Sequence, residues 1–301
     1  MTRVGASAFF GLAVVLLVSS PIAQTPQRSG SVTPPPIRQS DHIMIRTGNP
    51  HELYAFFTET LQLPVAWPIT SPRAGVTTGG VGFGNVNVEA IQFPGQKDEQ
   101  PRLVGFALGP SSLNDSMTEL TRRGITAGER RPLIAAGPDG SKNTLWTNVT
   151  LRSFSDSDGP AYATMHIFLS EYSPAYVNVE ERRARLQRQL VASGGGPLGV
   201  VEVNEVIIGA TDVAAARRLW QTLLDPTPSS TANTWRIGSG PAIRLVSATE
   251  NRVLTLVIRV ASLERATAFL RDTQLLGADP EGRPTIDPSK VGNLDFRLVE
   301  K

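Results

Sequence analysis

Apolar and polar positions alternate over short stretches along most of the chain, and such stretches repeatedly give way to apolar residues at helical spacing. The stretch 41–46 (DHIMIR) has the pattern of a short strand. From Asn49 it changes. Asn49 is placed to cap a helix, Pro50 takes the first helical position, Glu52 completes a capping box, and Leu53, Phe57 and Leu61 line one face. Extended stretches follow at 63–69, 76–83 and 86–93. The predicted order is strand, helix, three strands.

The same order begins again at Leu103 (LVGFAL), with Ser112 as cap, Leu113, Met117 and Leu120 as apolar stripe, and later strands at 145–154 and 163–172. A third copy opens at Val203 (VNEVIIG), capped by Asp212 and striped by Ala216, Leu219, Trp220 and Leu223. A fourth opens at 253–259, continues into a helix from Leu263 carrying Ala266, Phe269 and Leu270, and closes with a strand at 294–299. One such unit cannot bury both its sheet face and its helix, so units are expected to pair. The predicted fold is α+β: four βαβββ modules paired into two domains. The domains are expected at 38–177 and 198–301, joined by a helical linker over 178–197. That linker opens on Asn178 with Glu181, is highly charged (EERRARLQRQL), and ends at Gly194-Gly195-Gly196-Pro197; it reads as a solvated helix at the domain junction.

The first residues read differently. Arg3 and the apolar run 6–18, followed by small and turn-forming residues to Ala23, have the layout of a secretory signal over 1–23. The Pro-, Ser- and Gly-containing stretch 24–37 reads as a disordered linker. The apolar run is shorter than the roughly 20 residues needed to span a bilayer. The expectation is an exported protein, periplasmic or secreted, with no stable membrane association once the leader is removed. Composition narrows the chemistry. No cysteine is present, which excludes disulfides, thiolate catalysis and cysteine-bound zinc. A formal charge of +2 with scattered basic residues argues against nucleic acid. A monomer acting on, or holding, a small molecule is the default.

The stretch DHIMIRTGNPHELYAFFTETLQLPV resembles the opening of a glyoxalase-like domain of the vicinal-oxygen-chelate superfamily, and GNVNVEAIQF at 84–93 resembles its fourth strand. The resemblance implies a divalent ion (Fe, Mn, Zn, Ni or Mg) held by His42 and Glu89. Strand parity permits that pair, since His42, Met44 and Arg46 share one face and Asn87, Glu89 and Ile91 share another. A third ligand is expected from the last strand of the second module, ATMHIFLSEY. The resemblance favours Glu171, near the strand end; His166 instead gives two histidines and a carboxylate, a set suited to Fe(II). The two lie five apart and point to opposite faces of a regular strand. The sequence departs from the family where LVGFAL puts Gly105 or Phe106 at a ligand position. In the second domain Glu205 and Arg244 replace His42 and Glu89, so an ion pair is expected there instead of a metal.

Two functions follow. One is a metal-dependent lyase, isomerase or dioxygenase of a small oxygen-rich molecule, with the ion as Lewis acid. The other is a metal-free module that binds a small ligand in the first basin, bordered by Trp67, Phe83, Trp146 and Phe168. The glycine run 79–84 is not followed by a helix and reads as a hairpin, not a phosphate loop. Asp156-Ser157-Asp158-Gly159 lacks the closing Glu of a calcium loop and reads as a turn. His51 reads as exposed and structural.

Overall fold

A computed structural model describes residues 35–96, 99–136, 140–155 and 165–300; the leader and the turn at 156–159 lie outside them. The chain runs β1 (Gln39–Arg46), α1 (Pro50–Ala55), β2 (Val65–Arg73), β3 (Val76–Gly82) and β4 (Asn87–Gln92). It continues through β5 (Arg102–Gly109), α2 (Leu113–Arg122), β6 (Arg131–Ala136), β7 (Lys142–Thr150) and β8 (His166–Tyr172). After α3 (Val179–Ala192) come β9 (Val200–Ala210), α4 (Val213–Leu224), β10 (Thr234–Arg236) and β11 (Ala242–Ser247). The last module is β12 (Arg252–Val260), α5 (Leu263–Asp272), β13 (Leu276–Ala278), β14 (Pro284–Ile286) and β15 (Asp295–Glu300). Among the described residues no helix is long and apolar enough to cross a membrane.

The caps read from sequence start their helices: Asn49, Ser112, Asn178 and Asp212 each accept a backbone N–H from the residue three further on, and Ser262, which the sequence reading did not single out, does the same for α5. Two elements differ from expectation. The first helix is α only to Ala55, then widens into a π-helical turn over Phe56–Thr60, closed by Leu61 N–H on Phe56 O. The third module has two strands after its helix instead of three, because Pro226 and Pro228 remove ladder donors from the segment before β10.

Eight strands form one sheet in the order β2-β3-β4-β1-β5-β8-β7-β6, and seven form the other in the order β10-β11-β9-β12-β15-β14-β13. In the first, β1 runs parallel to β4 and antiparallel to β5, which runs parallel to β8. A local two-fold axis between β1 and β5 therefore relates the two modules. The second sheet repeats the scheme with β9, β11, β12 and β15. Strand parity separates the faces. Ile43, Ile45, Val86, Val88 and Ala90 enter one apolar core with Leu53, Phe57 and Leu61, while Met44, Val104, Ala107 and Phe168 cluster on the opposite, concave face.

That core is continuous through both sheets. Phe57 meets Phe296 at 6.1 Å between ring centroids, and Phe154 meets Trp220 at 4.9 Å. Asn85 stitches the seam like a piece of backbone, donating to Val203 O (3.0 Å) and accepting from Val203 N (3.1 Å). Beside it, Gly84 holds φ +81°, and a Cβ there would overlap the carbonyl of Val201. In the same glycine run, Gly80 in β3 lacks the side chain that would fill the space of the Trp67 indole.

Candidate functional site

His42 and Glu89 project from β1 and β4 onto the concave face of the first sheet and point at each other, with His42 Nε2 3.4 Å from Glu89 Oε2. Each is held from behind. His42 Nδ1 donates to Asp41 Oδ2 at 2.8 Å, and Thr78 Oγ1 donates to Glu89 Oε1 at 2.5 Å while accepting from Trp67 Nε1 at 3.3 Å. Asp41 is the hub. Besides His42 it accepts from Tyr172 OH at 2.9 Å and from Arg182 Nη2 at 2.6 Å, and its backbone carbonyl accepts from Asn87 Nδ2.

Burial opposes the charge on Asp41. The hydrogen bond to His42 and the nearby Arg182 guanidinium outweigh it and hold the carboxyl well below the usual range. For His42, burial pulls the pKa down, but the Glu89 carboxylate and the Asp41 hydrogen bond lift it to about 9. Tyr172 is pushed up by burial and by the Asp41 charge. At neutral pH the basin therefore contains an imidazolium and a guanidinium set against two carboxylates. Because the folded pKa of His42 lies above its unfolded value near 6.5, its contribution to stability is complete below pH 6.5 and is lost as pH rises through 9. The unfolding free energy of the protein is expected to fall between pH 6.5 and pH 10 by more than that of His42→Gln, measured by urea melts. Equal slopes for the two proteins count against the buried imidazolium.

Arg182 was hidden from sequence reading. It sits on α3, the helix expected to be merely solvated. Arg182 and Leu186 reach back over the first sheet, Arg182 lying over the Tyr172 ring at 5.0 Å and the Trp67 ring at 5.7 Å, and Leu186 next to Gly82. Arg183 bonds Gln39 and the Ser40 carbonyl. The only clue was the density of arginine in a helix with a thin apolar face. Trp67 and Phe168 complete the enclosure at 5.7 and 5.8 Å from the His42 ring. Phe83, expected at the border, lies in the main core instead.

The proposed third ligands do not join the pair. Glu171 points to the other face of β8, where it accepts from Leu113 N at 2.8 Å and serves the start of α2. His166 lies on the concave side but stacks on Phe168 at 5.1 Å, and Phe168 is the ring that abuts His42. Ladder register explains this. His42, Gly105, Glu205 and Thr255 each stand seven residues before a helix cap, and so are equivalent positions in the four modules. Met44 faces Glu89 across β1–β4, Ala107 faces Phe168 across β5–β8, Ile207 faces Arg244 and Val257 faces Arg297. The local two-fold thus carries His42 to Gly105 and Glu89 to Phe168. In the second sheet the equivalent residues are Glu205 with Arg244 and Thr255 with Arg297. The expected Glu205–Arg244 ion pair is present at 2.8 Å.

A divalent ion is tested against this donor set. Two ligands at about 2.1 Å from one ion at a tetrahedral angle lie about 3.4 Å apart, so the His42–Glu89 separation is compatible, and Asp41 orients the imidazole as an outer carboxylate does. The number of donors is not. Such sites take three or more protein ligands, and among the described residues no three His, Asp or Glu side chains converge. A Cβ at Gly105 would overlap the His166 carbonyl, so no ligand can project from there, and Phe168 fills the last position. The residues present do not make a complete metal site.

Solved structures place this architecture. The protein has the vicinal-oxygen-chelate fold, with two modules to each sheet. It is similar to 4-hydroxymandelate synthase from Streptomyces coelicolor (10% identity, TM-score 0.54), covering 89% of this chain and 93% of that one. A 2,3-dioxygenase from Pseudomonas is 12% identical with a TM-score of 0.53, covering 88% and 93%. The Mn(II)-bound glyoxalase from Novosphingobium aromaticivorans is 10% identical with a TM-score of 0.50, covering 89% and 83%. At these identities the likeness is one of fold. No family model matches the sequence, and no curated protein matches it.

Proposed function

We propose that the protein is a metal-independent small-molecule-binding module on the vicinal-oxygen-chelate fold, in which arginine side chains neutralise the carboxylates of each basin. The observation that carries this reading is the replacement of two of four ligand positions by Gly105 and Phe168. Arg182 on Asp41 (2.6 Å) and Arg244 on Glu205 (2.8 Å) support it, since each guanidinium supplies internally a positive charge that an ion would bring.

Metal analysis of protein purified without chelator, followed by calorimetric titration with Mn(II), Fe(II) and Zn(II), tests it. The wild type is expected to bind none of them stoichiometrically. Phe168→Glu, which adds a carboxylate opposite Glu89 on the same face, is expected to gain a site that is lost again in Phe168→Glu combined with His42→Ala. One equivalent of metal in the wild type, released by His42→Ala, would overturn the reading. It would instead support a metal-dependent enzyme, which the 3.4 Å His42–Glu89 spacing favours. In that case His42 and Glu89 would hold the ion, and its Lewis acidity would stabilise an oxyanion of the substrate.

A further inference from the structure

We infer that a cavity beside Asp41 binds a small organic cation of the guanidinium type, and that Arg182 of α3 competes with it by standing in the cation's place on Asp41. The inference rests on the metal-independent reading, since an ion between His42 and Glu89 would repel a second cation nearby. It adds to that reading a site and a ligand class. The cavity is about 510 Å³ and is lined by Arg38, Asp41, Glu171, Tyr172 and Glu180, together with hydroxyl and apolar side chains from β7, β8 and the start of α3. Its size falls within the roughly 300–1,000 Å³ of small-molecule sites.

Three observations select the ligand. The first is charge. Among the described residues the wall carries the carboxylates of Asp41, Glu171 and Glu180 against the guanidinium of Arg38, which is already paired with Glu180 at 2.5 Å. Such a wall repels an anion and draws in a cation. The second is the guanidinium that the site already holds. Arg182 gives its Nη2 to Asp41 Oδ1 at 2.6 Å, and lies 5.0 Å over the Tyr172 ring and 5.7 Å over the Trp67 ring. Asp41 and Tyr172 both line the cavity, so two of its walls hold a planar cation by charge and by ring face. The third is the poor fit of that occupant. The Arg182 side chain is 10% exposed, yet its Nε is buried without a hydrogen-bond partner. An unpaired buried donor is costly. A free ligand, not tethered to a helix, can turn its donors onto Asp41 and the cavity hydroxyls while Arg182 returns to water. Leu186 and Leu190 anchor α3 further along, so the side chain can leave while the helix stays.

The full chain, in buffer with EDTA and at fixed ionic strength, is titrated by calorimetry with n-butylguanidinium and with its neutral isostere n-butylurea. Arg182→Ala is expected to bind n-butylguanidinium at least about tenfold more tightly than the wild type does, because the internal competitor is gone. The urea should bind neither protein. In the Arg182→Ala background, Glu180→Gln should weaken binding by about threefold, the worth of one exposed carboxylate, and Asp41→Asn should abolish it. Arg271→Ala, at an exposed position on α5, should bind as the wild type does. Equal affinity in the wild type and Arg182→Ala, equal binding of the urea, or no effect of Glu180→Gln would overturn the cation site alone. The Glu180 comparison stands even where Asp41→Asn fails to fold. One equivalent of Mn(II) bound by the wild type when EDTA is left out would overturn the metal-independent reading beneath it.

Discussion

Asp41→Asn is expected to cost about 3–5 kcal/mol of folding stability, read as a lower urea midpoint with an unchanged slope. The carboxylate is 1% exposed and receives His42, Tyr172 and Arg182 on its two oxygens. An amide of the same shape can accept from only one oxygen and carries no charge. It leaves the Arg182 guanidinium buried over Tyr172 and Trp67 without its anion. Breaking a buried pair from one side is costly because the surviving charge stays desolvated. Arg182→Met should cost less, since Asp41 then keeps two donors and the methionine stem still covers the rings. If Asp41→Asn unfolds within about 0.5 kcal/mol of the wild type, the network around Asp41 is not what fixes α3 over the basin.

Gly105→Ala should be as damaging, for a backbone reason. Gly105 holds φ +145°, and its missing Cβ would overlap the carbonyl oxygen of His166, part of the β5–β8 pairing. Gly124 provides the comparison: it also has positive φ, +70°, but nothing lies within 4 Å of an added Cβ. Gly124→Ala should therefore show only the conformational cost, about 1–2 kcal/mol. Gly105→Ala adds a clash with backbone that cannot step aside, and a loss of more than about 3 kcal/mol or failure to accumulate soluble protein is expected. Equal melting temperatures for the two variants would show that the β5–β8 ladder yields easily. The same constraint means that a metal ligand at this position cannot be regained by one substitution, in contrast to Phe168.

The modular plan was legible because each helix carries its own start. A capping side chain, a stripe at helical spacing and a short turn from the preceding strand are all local, so four copies could be aligned without tertiary information. That alignment also placed Glu205 against Arg244 and set His166 and Glu171 on opposite faces of β8. The alignment could not say which residue of β8 lies two-fold opposite Glu89. Register between β5 and β8 depends on strands separated by a helix and two further strands, and the family habit of a carboxylate near the strand end pointed to Glu171 instead of Phe168. Arg182 was illegible for a related reason. Its partner Asp41 is more than a hundred residues away, and nothing in a charged helix says which of its four arginines turn onto the sheet. The missing strand of the third module was foreshadowed only by Pro226 and Pro228.

The seam between the sheets sets what the second sheet contributes. Phe57 against Phe296, Trp220 against Phe154 and the Asn85–Val203 pairing give the two sheets one common interior. Cut between α3 and β9, either piece would leave a broad oily flank facing water, so neither fragment is expected to remain dispersed by itself. A chain organised this way cannot dispense with its second sheet, because that sheet is the wall against which the first one stands.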